Sequence, residues 1–153
     1  MLWRRKKLDK DECIVALVAL HVLKRRLDAG QGLAVSARDI AGFGMDRYGI
    51  EIPESLAEET LEKLVEMGIM RKGEEGCYTL TDIAMQVFTA SHNIARKIDN
   101  INLPDIARQA IVVATMLRTS GYSAPQLIKT MNTLRSVTEC GIKALEKLAK
   151  NVK

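Results

Sequence analysis

Between residues 53 and 98 the hydrophobic period changes from 3.6 to 2 and back again, and few folds accommodate both switches in so short a span. After Pro53, Leu56, Leu61, Leu64 and Val65 form an i, i+5, i+8, i+9 stripe. This predicts a helix with the proline at its first position, running down to Gly68. Ile69-Met-Arg-Lys72 and Cys77-Tyr-Thr-Leu80 then read as two short strands, joined by Gly73-Glu-Glu-Gly76 with glycine at both ends of the loop. Thr81-Asp82 can cap the next helix, where Ile83, Val87, Ala90, Ile94 and Ile98 share one face over about five turns. A hairpin held between two amphipathic helices is the expected centre of the chain.

Upstream, residues 13–23 are apolar except for His21, as in a core helix that is covered on all sides. Asp9 can cap this helix with Glu12 at the third position, and Asp28-Ala29-Gly30 ends it. Lys24, Arg25 and Arg26 crowd its last turn and complement the negative end of the helix dipole, a binding patch being the alternative. Ser36-Ala-Arg-Asp39 has the form of a capping box and starts a short second helix carrying Ile40 and Ala41, closed by Gly42 and Gly44. Residues 31–35 and the segment containing Arg47, Tyr48 and Gly49 are expected to be loops.

Downstream, Asn102-Leu-Pro104 restarts the chain as a fifth helix reaching Thr119, apolar over most of its circumference through Ile106, Ala110, Ile111, Val113, Ala114 and Leu117. Ser123-Ala-Pro125-Gln126 combines a cap, a proline and a glutamine at the third position to begin a sixth helix ending near Ala149. Along it Leu127, Met131, Leu134, Thr138, Gly141, Leu145, Leu148 and Val152 alternate at spacings of four and three, a coiled-coil seam weakened in the middle by Thr138 and Gly141. Two such helices need cover. A homodimer would supply it through Ile111, Leu117, Leu127, Met131, Leu134, Leu145 and Leu148, and the alternative is an intramolecular three-helix bundle with the first helix.

The chain has 153 residues, 47% of them hydrophobic, which suits one domain with a helical extension and excludes a multidomain enzyme. The expected division is a basic N-terminal arm over residues 1–8, a domain over 9–92 and a helical dimerisation region over 93–153. Net charge is +4, but it is unevenly placed. Residues 1–76 carry thirteen Lys/Arg against fourteen Asp/Glu, and residues 77–153 carry ten against five. Eight of the acids fall between Glu51 and Glu75. Aromatic residues make up 4%, too few for a base-stacking platform of the kind that single-stranded nucleic-acid binders use.

Cys13, Cys77 and Cys140 are far apart, odd in number and form no CxxC, so reduced thiols and a cytoplasmic location are expected, with neither a disulfide framework nor a zinc knuckle. Residues 13–23 are preceded by Asp9, Asp11 and Glu12 and followed by Lys24-Arg-Arg26 with no small-residue cleavage site, which argues against a signal peptide. The run is also far short of the roughly 20 apolar residues that cross a bilayer, so no membrane partner is expected.

Helix, short helix, helix, hairpin, helix is the order of a winged-helix domain, and residues 11–92 resemble that superfamily at matching positions. Val35-Ser-Ala-Arg-Asp-Ile-Ala41 is similar to its second helix. Residues 56–72 are similar to its third helix running through a terminal glycine into the wing, and Tyr78-Thr-Leu-Thr-Asp82 to its return strand. The overall likeness is to small prokaryotic and archaeal transcriptional regulators with C-terminal dimerisation helices. The resemblance implies a mostly α fold with a minor β component, a two-stranded wing, and a homodimer that binds double-stranded DNA to regulate transcription. Winged helices also serve as protein-docking modules, so the fold alone does not decide function.

In a DNA-reading member the third helix enters the major groove with basic or amide side chains outward. This sequence departs from that pattern, because Glu54, Glu58, Glu59, Glu62 and Glu66 accompany only Ser55 and Lys63 on the outward positions, and Glu74-Glu75 occupies the wing tip. Carboxylates there repel phosphate. Only Arg38, Arg47 with Tyr48, and Arg71 with Lys72 at the wing base match positions where the family touches the DNA backbone; Ser55 and Lys63 are the further candidates on the outward side of the third helix. Arg4, Arg5, Lys6 and Lys7 form an arm able to lie in a groove or along phosphates. The alternative is a protein–protein module whose acidic third helix docks on a basic partner.

No catalytic constellation is expected. His21 reads as a core histidine and His92 as a surface or interface one, Gly30-Gln-Gly32 and Gly42-Phe-Gly44 follow helices rather than strands, and the glutamates at 58, 59, 62 and 66 lack a Glu-x-x-His partner. No metal or cofactor is expected.

Overall fold

The computed structural model describes residues 7–97 and 102–151. The fold is mostly helical with a small antiparallel sheet. In chain order the elements are α1 (Lys10–Asp28), β1 (Ala34–Ser36), α2 (Ala37–Phe43), a π-helical turn (Gly44–Tyr48), α3 (Glu54–Glu66), β2 (Met70–Lys72), β3 (Cys77–Leu80), α4 (Asp82–Lys97), α5 (Asp105–Thr119) and α6 (Ala124–Asn151).

Local chemistry sets the helix starts. The Asp9 carboxylate accepts from the Glu12 backbone N–H while the Glu12 side chain accepts from the Asp9 N–H, and Ser36 with Asp39 repeats this reciprocal box at α2. At α6 the Gln126 side chain accepts from the Ser123 N–H at 2.9 Å. Pro53 and Pro104 stand one position earlier than the sequence suggested for Pro53, as extended caps before the first helical residue. Gly42 and Gly44 do not close α2. The chain winds on into the π-helical turn, and Gly44 lets the Ile52 side chain pack where a Cβ would come within 2.6 Å of it.

A third strand joins the expected hairpin. The sheet order is β1-β3-β2, with Val35 opposite Tyr78 and Lys72 opposite Tyr78 on the other side, so β3 is central. Its residues alternate, Tyr78 and Leu80 being buried and Cys77 and Thr79 half-buried. On α3 the buried line runs through Ala57, Thr60, Leu61 and Leu64, one helical step away from the expected stripe, and leaves Leu56 and Val65 at its half-buried edge.

α1 is the hub, packed by α2 and α3 on one side and α6 on another. That explains its apolar circumference: Val15, Ala16, Val18, Ala19 and Leu23 are all fully enclosed. The α1–α6 crossing is close because a Cβ on Gly141 would meet the Leu17 Cβ at 2.5 Å and the Cys13 carbonyl oxygen at 2.8 Å. Gly141 is therefore the contact point of the seam rather than a weakness in it. Beside it Cys13 and Cys140 are joined in a disulfide with Cα atoms 5.4 Å apart, correcting the expectation of reduced thiols for this pair; Cys77 is free. Among the described residues no helix is long and apolar enough to cross a membrane.

Candidate functional site

Two of the expected outward cations, Lys63 on α3 and Lys72 at the wing base, are held by carboxylates of the chain itself. Lys63 turns toward α1 and grips both oxygens of the nearly buried Glu12, at 2.8 and 2.6 Å, and this carboxylate raises the Lys63 pKa above its ordinary value. It is a structural ion pair and corrects the reading of Lys63 as an outward group. Lys72 pairs with Glu62 at 3.2 Å, and the same carboxylate accepts from the Tyr78 hydroxyl at 2.6 Å. Those two donors hold Glu62 below the usual carboxylate range, while burial and the Glu62 partner push the Tyr78 phenol up. What α3 presents to solvent is Glu54, Ser55, Glu58, Glu59 and Glu66, all exposed.

Tyr48 also turns inward. The π-helical turn carries it against α1, where its hydroxyl lies 2.6 Å from His21 Nδ1, and Phe43 stacks edge-on against the imidazole with centroids 4.9 Å apart. Burial first, then the positive charges of Arg47, Arg25 and Lys24, push the His21 pKa below its ordinary value. Tyr48 is thus a packing partner of α1 rather than a free phosphate contact.

A basic edge survives elsewhere. A cleft of about 490 Å³ between the end of α1 and α2 brings together Arg25, Arg26 and Arg38, with Asp39 and Asp46 on its rim. Arg26 pairs with Asp39 at 3.1 Å and donates to the Ala34 carbonyl, which ties α1 to β1. Burial raises the Asp39 pKa, but the Ser36 cap and Arg26 outweigh it and leave the carboxyl lower than ordinary. Arg25 and Arg38 have no carboxylate partner among the described residues, nor do the exposed Arg47 and Arg71. Lys7 is exposed, and Arg4, Arg5 and Lys6 lie outside the described residues. Arg25 and Arg26 were assigned to the helix dipole from sequence; their approach to Arg38 depends on a tertiary contact that no local pattern shows.

The expected dimer residues divide in two. Leu127, Met131 and Leu134 are buried in the chain's own core and Leu145 is half-buried, since α6 packs on α1, α4 and α5. These residues are taken up by the intramolecular packing weighed as the alternative. Ile111, Leu117 and Leu148 are exposed, and the outer face of α5 adds Ile106 at 76% exposure, next to Ala110 and Ala114. His92, expected at a surface or interface, is half-buried with Nε2 2.7 Å from Asp28 Oδ1. Among the described residues no group of three or more His, Cys, Asp or Glu is placed to hold a metal ion.

A scan against protein-family models, a search of curated proteins and a search of solved structures each return no match to this chain.

Proposed function

We propose that residues 9–92 form a winged-helix domain and that the chain is a homodimeric, DNA-binding transcriptional regulator. The observation that carries the reading is the element order from α1 to β3 with the sheet order β1-β3-β2, which supports reading the β2–β3 hairpin as a wing beside the three helices. In this reading the phosphates are met by Arg38 at the start of α2, by Arg25 in the last turn of α1, by Arg47, by Arg71 at the wing base and by the basic N-terminal segment. The α3 face carries exposed carboxylates and, with Lys63 held by Glu12, no available ammonium of its own, so it stands off the duplex. A second copy covers Ile106, Ile111 and Leu117 on α5.

Fluorescence anisotropy of a mixed-sequence duplex, repeated from about 50 to 200 mM salt, tests this. Micromolar binding with a steep salt dependence is expected, and the double reversal Arg25→Glu, Arg38→Glu should weaken it by about tenfold or more and flatten the slope. No binding at the lowest salt overturns the DNA reading. The reading that then takes its place is a protein-docking module, favoured by the exposed row Glu54, Glu58 and Glu59, which suits a basic partner.

A further inference from the structure

Beneath the helical extension a cleft of about 500 Å³ opens between α1, the π-helical turn, α4, α5 and α6. Its size falls in the range of small-molecule sites, roughly 300–1,000 Å³. Leu17, Leu20, Val87, Phe88, Met131 and Leu134 give it an apolar bed. Its charged lining residues are Lys24, from the last turn of α1, and Arg135, from α6. No Asp or Glu lines it, and neither cation has a carboxylate partner among the described residues. His21 stands in the same wall, its pKa lowered first by burial and then by Arg47, Arg25 and Lys24, of which Lys24 alone lines the cleft.

An apolar bed under two unneutralised cations is a specification. Arg135 offers a planar fork that matches a carboxylate with two parallel hydrogen bonds, and Lys24 adds a mobile point charge. The apolar lining disfavours a polyanion, whose remaining charges would be stranded against Leu17 and Leu20 without partners. We propose that this cleft binds a small organic acid, with its carboxylate between Arg135 and Lys24 and its aromatic or aliphatic body against Leu20, Phe88 and Met131. The inference stands apart from DNA binding, and its test uses no DNA.

The probe is 2-naphthoate, compared with 2-naphthamide of the same shape and no charge, titrated into the full chain in a calorimeter. One-to-one binding of the acid is expected, with the amide weaker by about tenfold, which is the loss of one strong polar contact. Arg135→Met and Lys24→Met should each lower the acid's affinity toward that of the amide and leave the amide unchanged. Lys24 is exposed, so its variant keeps the test alive if the half-buried Arg135 proves necessary for folding. The imidazole resonances of His21 should move during the acid titration. Equal affinity for acid and amide overturns the proposal, as does the absence of binding by either probe up to about 1 mM. Acid binding that leaves His21 and both variants unaffected overturns it too, because the acid would then sit elsewhere.

Discussion

α3 and α5 are helices of similar length, 13 and 15 residues, each preceded by a proline that serves as its extended cap, yet the fold uses them in opposite ways. α3 turns Ala57, Thr60, Leu61 and Leu64 fully inward and leaves carboxylates outside. α5 buries only Val112 and Met116 and leaves Ile106 and Leu117 in solvent at 76% and 49% exposure. The first helix finds all its apolar cover within the chain. The second does not, because α4 and α6, which pack against it, cover Val112 and Met116 and leave Ile106, Ile111 and Leu117 exposed. The apolar pattern, one stripe in α3 and most of the circumference in α5, says that a face is to be covered and not by what.

The largest expected effect breaks the better-covered side. Leu61→Ala empties a site with no solvent exposure and should lower the unfolding free energy by about 2–5 kcal/mol, measured by urea denaturation. Its counterpart on α5, Leu117→Glu, should leave the unfolding free energy of the dilute monomer within about 0.5 kcal/mol of the parent, the range of ordinary surface changes. In the proposed homodimer it should shift the mass seen by light scattering from dimer to monomer. An unchanged dimer in Leu117→Glu would remove α5 from the interface. A collapse of stability comparable with that of Leu61→Ala would mean that the two helices do not differ as described.

Next in size is the α1–α6 clasp, on which the cover of α5 depends. The disulfide closes a loop spanning 127 residues of sequence, and its removal should cost about 2–4 kcal/mol, read as the difference between oxidised and reduced protein in urea. Gly141→Ala should cost about 1–3 kcal/mol, because the added methyl meets Leu17 and the Cys13 carbonyl. If Gly141→Ala is neutral, the two helices can slide apart and the crossing is looser than its geometry indicates.

What could be read in the sequence is what is local. The boxes at Asp9 with Glu12, Ser36 with Asp39 and Ser123 with Gln126 span three residues, and the loop from Gly73 to Gly76 marks the hairpin by itself. What escaped depends on partners far along the chain. Ala34-Val-Ser36 is too short to show a strand period, and it becomes β1 only because β3 offers an open edge. Lys63 looked outward on a helical wheel, but Glu12, 51 residues away, draws it in. Tyr48 is claimed by His21, 27 residues away. The Cys13–Cys140 pair follows from the crossing at Gly141, and spacing rules for cysteines contain no crossing angles. The candidate site is only partly legible for the same reason: side-chain charges are visible in a sequence, the pairing of Lys63 with Glu12 and of Lys72 with Glu62 is not.

The smallest effect separates the two regions by pH. The His21 pKa is lowered on folding, chiefly by burial and then by Arg47, Arg25 and Lys24, so the unfolded chain holds more protons than the native one below the ordinary value of 6.5. Stability from this group is fully present above that pH and is lost as the solution is acidified through it. Asp39 and Glu62, on the α2 and wing side, are also depressed, from ordinary values of 3.8 and 4.5. Their contribution is present above those values and disappears only as pH falls below them. A plot of denaturation midpoint against pH should therefore fall in two steps. The upper step should vanish in His21→Gln while the lower one persists, and Asp39→Asn should erase part of the lower step and leave the upper intact. A single step near pH 4 in the parent protein would mean that the imidazole is not held neutral in the cleft wall. Neither the burial of the ring nor the surrounding cations would then act on it as described.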